Sequence, residues 1–141
     1  MKHFIKIALL PISLIGSCFS YANQISVDFL INELKIAHSE YLNGSIDSGL
    51  YALESLARLL ESDKSATLMA ETGPNNLAFT YIRIGVLHER AGNKRDADTY
   101  FNKALSLYQG ERTDITQLKE AVVKLDLVPL SLSGSPLGQG S

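Results

Sequence analysis

From residue 85 to residue 104 the chain holds small residues at fixed intervals around one large ring. Gly85, Gly92, Ala97 and Ala104 are the small positions, and Phe101 lies between the two alanines. The flanking stretches, LAFTYIRIGVLHERAGN and KRDADTYFNKALSLYQG, place apolar side chains at helical spacing and are parted by Gly92-Asn93, a helix end. Two antiparallel helices come within about 8–10 Å only where small side chains face each other. The pattern predicts a helical hairpin with Gly85 and Ala97 at the close crossing. Phe101 then fills the space between contacts, and Ala104 meets the following helix.

The rest of the central sequence is helical by the same test, with no convincing strand. QISVDFLINELKIAHSEYLNG carries Phe29, Leu30, Leu34, Ala37 and Tyr41 at helical spacing and stops at Asn43-Gly44. SIDSGLYALESLARLLESD follows, with Leu53, Leu56, Ala57 and Leu60 in one stripe and Ser45 or Asp47 available as a cap. KSATLMAETGPNN is less regular, and Gly73-Pro74 breaks any helix entering it. In DITQLKEAVVKLDL, Ile115, Leu118, Ala121, Val122 and Leu125 share a face, and Asp114 with Gln117 forms a capping box. That last helix, polar on its outer side, would close the open end of a helical stack. A weak internal repeat links the two halves: Ile36-Ala37, Gly44, Gly49, Leu53 and Leu56 recur as Ile84-Gly85, Gly92, Ala97, Phe101 and Ala104. The extra length between copies falls around residues 62–75.

Residues 78–111 resemble a tetratricopeptide repeat, a helix–turn–helix unit of about 34 residues that stacks side by side. Tyr81, Ile84, Gly85, Gly92, Ala97, Phe101 and Ala104 fall where that family has its large, small and turn residues. His88 takes a place usually held by an aromatic. Gln109 stands where proline often ends the unit, leaving the stop to Gly110. The earlier copy departs further, with Glu33 for the first aromatic and Leu56 for the second alanine. The resemblance implies an all-α, tetratricopeptide-like stack of two antiparallel helical hairpins with a C-terminal capping helix, over residues 23–127.

The two ends read differently. Lys2 and Lys6 precede IALLPISLIG, an apolar run too short to span a bilayer, and Ser20 and Ala22 supply the small residues of a cleavage site. Residues 1–22 are therefore expected to be an export signal, with Asn23 as the first mature residue. LIGSC also resembles a bacterial lipobox, which would make Cys18 a lipidated N-terminus and anchor the protein to a membrane. Cys18 is the single cysteine, so an internal disulfide is excluded. Residues 128–141, rich in Ser, Gly and Pro from Pro129 on, read as a flexible tail.

Thirteen basic and fifteen acidic residues are interspersed, for a net charge of −2 and no basic stripe, which argues against nucleic acid. No second apolar run is long enough for a transmembrane helix. His38 and His88 lack a second ligand at zinc spacing, and no serine sits in a nucleophile elbow. His88 is expected to be partly buried with its polar tip on a neighbouring backbone group. Glu54, Glu61, Glu89, Asp96 and Asp98 are scattered as on solvated helix faces. The sequence therefore assigns no catalytic residue, metal or cofactor.

LAFTYIRIGVLHER is apolar nearly all round, as a helix is when buried or covered by a partner. Tyr81, Ile84 and Leu87 form one side; Phe79, Ile82 and Val86 form another, with Arg83 at its rim. In the resembling family this second face lines a concave groove that receives peptides, although the family's charged clamp is not reproduced here. Either the face binds a partner, or residues 62–75 fold back over it. The implied role is non-catalytic: an exported protein, periplasmic or secreted, holding a protein partner in the bacterial envelope. The alternatives are a lipid-anchored assembly factor resembling the repeat lipoproteins that pilot secretin or pilus subunits and, more distantly, a small periplasmic hydrolase.

Overall fold

A computed structural model of the 141-residue chain describes residues 25–63 and 67–128. The expected signal with Cys18, and the tail from residue 129, lie outside the described residues. Among the described residues the protein is all-α, without strands. Its helices are α1 (Val27–Asn43), α2 (Ile46–Ser62), α3 (Thr67–Thr72), α4 (Asn76–Arg90), α5 (Lys94–Leu107) and α6 (Ile115–Leu127).

Local chemistry sets the helix ends. The Ser26 hydroxyl accepts the Phe29 N–H at 3.2 Å, and Ser45, not Asp47, caps α2 by accepting from Ser48 N–H at 3.1 Å. The predicted capping box of α6 is present: Asp114 accepts from Gln117 N–H at 2.9 Å, and the Gln117 side chain accepts from Asp114 N–H at 3.4 Å. Gly92 ends α4 with φ +79°, where it donates to the Glu89 carbonyl at 3.0 Å while Asn93 donates to His88 at 2.8 Å. This paired bonding is the Schellman arrangement, which needs a left-handed residue and hence favours glycine. Gly44, its counterpart in the earlier copy, is extended instead (φ −85°, ψ −178°), so the two turns close differently.

Short connections fold α1 against α2 and α4 against α5 as hairpins, and the hairpins meet through α2 and α4. The corresponding positions of the internal repeat are all interior: Ala37, Gly49, Leu53 and Leu56 in one hairpin, and Gly85, Ala97, Phe101 and Ala104 in the other. Leu53, Ile82 and Ile84 are among the largest fully buried side chains, each contributing roughly 1.5–3 kcal/mol by its removal from water. Tyr81, also buried, ties the hairpins together by donating its hydroxyl hydrogen to Glu61.

Three expectations about packing are corrected. A Cβ on Gly85 would run into the Phe101 ring (2.6 Å from Cδ1), and Ala97 is not among its nearest neighbours. The ring thus occupies the space that glycine leaves, so the close approach is backbone to aromatic face. Second, α6 buries Leu118 and Val122, while Ala121 and Leu125 on the predicted face are exposed, as are Val123 and Leu127. Its outer side is not polar throughout. Third, α5 stops without help from Gly110. The Asn75 side-chain amide accepts from Gln109 N–H at 2.7 Å and donates to the Gln109 carbonyl at 2.9 Å, clamping the start of α4 to the end of α5. Proline at 109 would have no N–H to give.

Candidate functional site

A cleft of about 480 Å³ opens between α1, α4 and the end of α6. Helical spacing builds two of its walls. Ile31, Leu34, Lys35 and His38 lie three or four residues apart on α1, and Asn76, Phe79 and Arg83 do the same on α4. Leu125, Asp126 and Val128 form the third side. Thr72 of α3 closes one end, held beside α4 by the Asn76 side-chain amide, which donates to its hydroxyl at 2.5 Å.

At the base is a fixed ion pair. The Arg83 Nη2 donates to Asp126 Oδ1 at 2.7 Å, and its Nε lies 3.2 Å from both carboxylate oxygens. Both side chains are buried, at 8% and 5% exposure, so a single interaction joins α4 to α6 out of water. Such a fork-shaped contact fixes direction as well as charge. His38 reaches in from α1, with Nδ1 3.9 Å from Asp126 Oδ1, too long for a hydrogen bond. Three helices thus converge on one carboxylate.

Burial, and then the Arg83 guanidinium, hold the His38 pKa below its usual 6.5, against the pull of Asp126. Burial, helped by Asp126, raises that of Tyr41 one turn along, so both rings are neutral near pH 7. The folded chain binds the His38 proton less tightly than the unfolded chain does. The stability contributed by neutral His38 is therefore complete above pH 6.5 and is lost as pH falls through the lowered folded value. The melting temperature is expected to fall between about pH 7 and pH 5, with a His38 share of at most about 1.4 kcal/mol per pH unit. His38→Gln should flatten that slope, and an unchanged slope would show that His38 does not carry it.

Of the four residues predicted to form a groove, Phe79 and Arg83 line the cleft. Ile82 and Val86 do not. Ile82 is completely buried and Val86 is 6% exposed, because α4 packs against α2, α5 and α6 together. Nor does Arg83 stand at a rim to orient a charged segment, since Asp126 already neutralises it. Residues 62–75 do not cover the face; they supply Thr72 at one end, while α6 forms the wall across from α1. His38, Asp126, Leu34 and Leu125 were missed as site residues. The signal for Asp126 was Arg83 itself, a guanidinium in an otherwise apolar helix that needs a carboxylate partner when buried.

His88 also departs from expectation. Its ring stacks on Tyr100 (5.4 Å between centroids, 12° between planes), and among the described residues its buried Nδ1 has no hydrogen-bond partner. Chemically, His38 and Asp126 are the two groups a relayed base would use, but Arg83 already engages both oxygens of that carboxylate. No three His, Cys, Asp or Glu side chains gather as a metal site, and no helix is long and apolar enough to cross a membrane, among the described residues. No family model, curated protein or solved structure matches the chain.

Proposed function

We propose that this is a non-catalytic, exported, tetratricopeptide-like protein that holds an extended segment of a protein partner in the α1–α4–α6 cleft. The observation that carries the reading is the cleft itself: about 480 Å³, walled by Ile31, Leu34, Phe79 and Leu125 over a rigid polar base. That size and lining are those of a binding pocket: mostly apolar, with few fixed polar groups. The tetratricopeptide-like arrangement is supported by two hairpins whose repeat positions are interior in both copies. In such an arrangement α1 and α4 are the first helices of successive hairpins, the ones that line the groove. Fold analogy alone would be a weaker warrant.

A photo-reactive residue at Leu125, half exposed on the cleft wall, should form a discrete adduct with one partner. The same residue at Tyr51, 74% exposed on α2 and outside this cleft, should not. Equal adducts from both positions, or none from either, would remove the cleft from the function.

Export rests on Lys2, Lys6, Ser20 and Ala22. The intact mass of the mature protein is expected to correspond to a chain beginning at Asn23. A chain beginning at Cys18 with added acyl mass, abolished by Cys18→Ser, would replace this with the lipid-anchored reading.

A further inference from the structure

The cleft has a neutral, apolar occupant available within the same chain. We propose that residues 129–133, PLSLS, lie across it as an intramolecular strap that an incoming segment must displace. The inference rests on the reading that the cleft takes extended apolar segments, but not on the identity of any partner.

Position comes first. The described chain ends at Val128, which lines the cleft together with Leu125 and Asp126. The following segment therefore starts on the rim, and no distance has to be bridged to reach the site. Val128 is extended (φ −74°, ψ 119°), the conformation favoured before proline, so the chain leaves α6 as a strand-like segment. Five extended residues reach roughly 17 Å, against about 22 Å for the whole of α4, so the segment is long enough to cross the site.

Chemistry comes second. In a chain with 28 charged side chains by composition, 13 basic and 15 acidic, PLSLSGSPLGQGS contains none. The cleft asks for that. Arg83 and Asp126 neutralise each other at its base, and His38 is held neutral, so a charged segment would be desolvated without compensation. Leu130 and Leu132, two apart, share one side of an extended backbone, with Ser131 and Ser133 on the other. Two leucines can then face Leu34 and Phe79 while the serines face water. The exposed apolar side chains Leu125 and Val128, at 52% and 61%, become covered by the same arrangement.

Tethering comes third. A segment attached at the rim acts at an effective concentration in the millimolar range, so two buried leucines suffice where a free peptide of the same sequence would bind weakly. A second copy supplying the same segment from solution would have to overcome that advantage.

The test uses the full mature chain. Nuclear Overhauser contacts are expected from the Leu130 and Leu132 methyl groups to the Phe79 ring, and they should vanish in Leu130→Ser/Leu132→Ser with the fold retained. Coil-like chemical shifts over 129–133 without such contacts would overturn the strap. So would contacts appearing only between differently labelled copies, which would make it an exchange between molecules. Photo-crosslinking from position 125 separates this idea from the partner reading. With the strap in place, the double serine variant should raise the partner adduct several-fold. Contacts without any adduct in either form would leave the strap standing and remove the partner. An unchanged adduct in a chain lacking the contacts would do the reverse.

Discussion

Arg83→Ala is expected to lower the unfolding free energy by about 3 kcal/mol, the largest loss of any single surface-lining change in the molecule. Removing one member of a buried ion pair costs roughly 3–5 kcal/mol, because the other charge is left without compensation in a poorly solvated site. The lower end applies because the pair borders an open cleft, where water can enter once the guanidinium is gone. Asp126→Ala should cost about as much for the mirror reason. Replacing both, with Arg83→Met and Asp126→Leu, removes the two desolvation penalties together and should recover most of the loss. Urea unfolding of the four proteins gives the coupling directly. If the double variant loses as much as the two single variants added, the groups act independently and the ion pair is not what joins α4 to α6.

The functional weight of this pair follows from where it sits. α6 touches the rest of the fold along a narrow seam, with Leu118 and Val122 in the core and Arg83–Asp126 beyond them. Loosening the end of α6 would move Leu125 and Val128, and with them one wall of the cleft. The double variant should therefore restore stability without fully restoring the site. A methionine–leucine contact fills volume but lacks the directional fork that sets the angle of α6.

The helices were legible because their periods and caps are local. Ser45 and the Asp114–Gln117 box could be read from residues three apart, and both are in place. The stripe Leu53, Leu56 and Ala57 was legible for the same reason, and it is buried. The site was only half legible. Phe79 was found because an apolar residue on a mostly apolar helix asks to be covered. Ile82 was misread with it, since one helix cannot show how many neighbours surround it. Arg83 was seen as a rim charge because its partner lies 43 residues away on a helix read as a lid. Gln109 looked like a missing stop signal, yet its stop is supplied by Asn75, 34 residues earlier. Long-range polar partners leave no periodic trace, so sequence patterns do not reveal them.

Gly85→Leu should destabilise the protein by about 3 kcal/mol, the upper end for inserting bulk into a packed interior, and far more than Gly110→Leu. Both glycines have an aromatic ring where a Cβ would go, but the rings differ. At Gly85 the obstacle is Phe101, itself 5% exposed and held between α4 and α5, so its ring cannot swing away without opening the hairpin. At Gly110 the obstacle is the end of Tyr108, a half-buried side chain beside exposed loop, which can rotate outward. Neither glycine has positive φ, so backbone strain does not enter the comparison. The cause can be isolated with a smaller change. Gly85→Ala alone should already cost stability, and Phe101→Leu alone should cost it by loss of packed volume. Together they exchange volume across the same contact, so the combined loss should be smaller than the sum, a coupling expected only between residues that touch. Additive losses would mean that the ring yields to a methyl group and that the glycine is not required by the crossing.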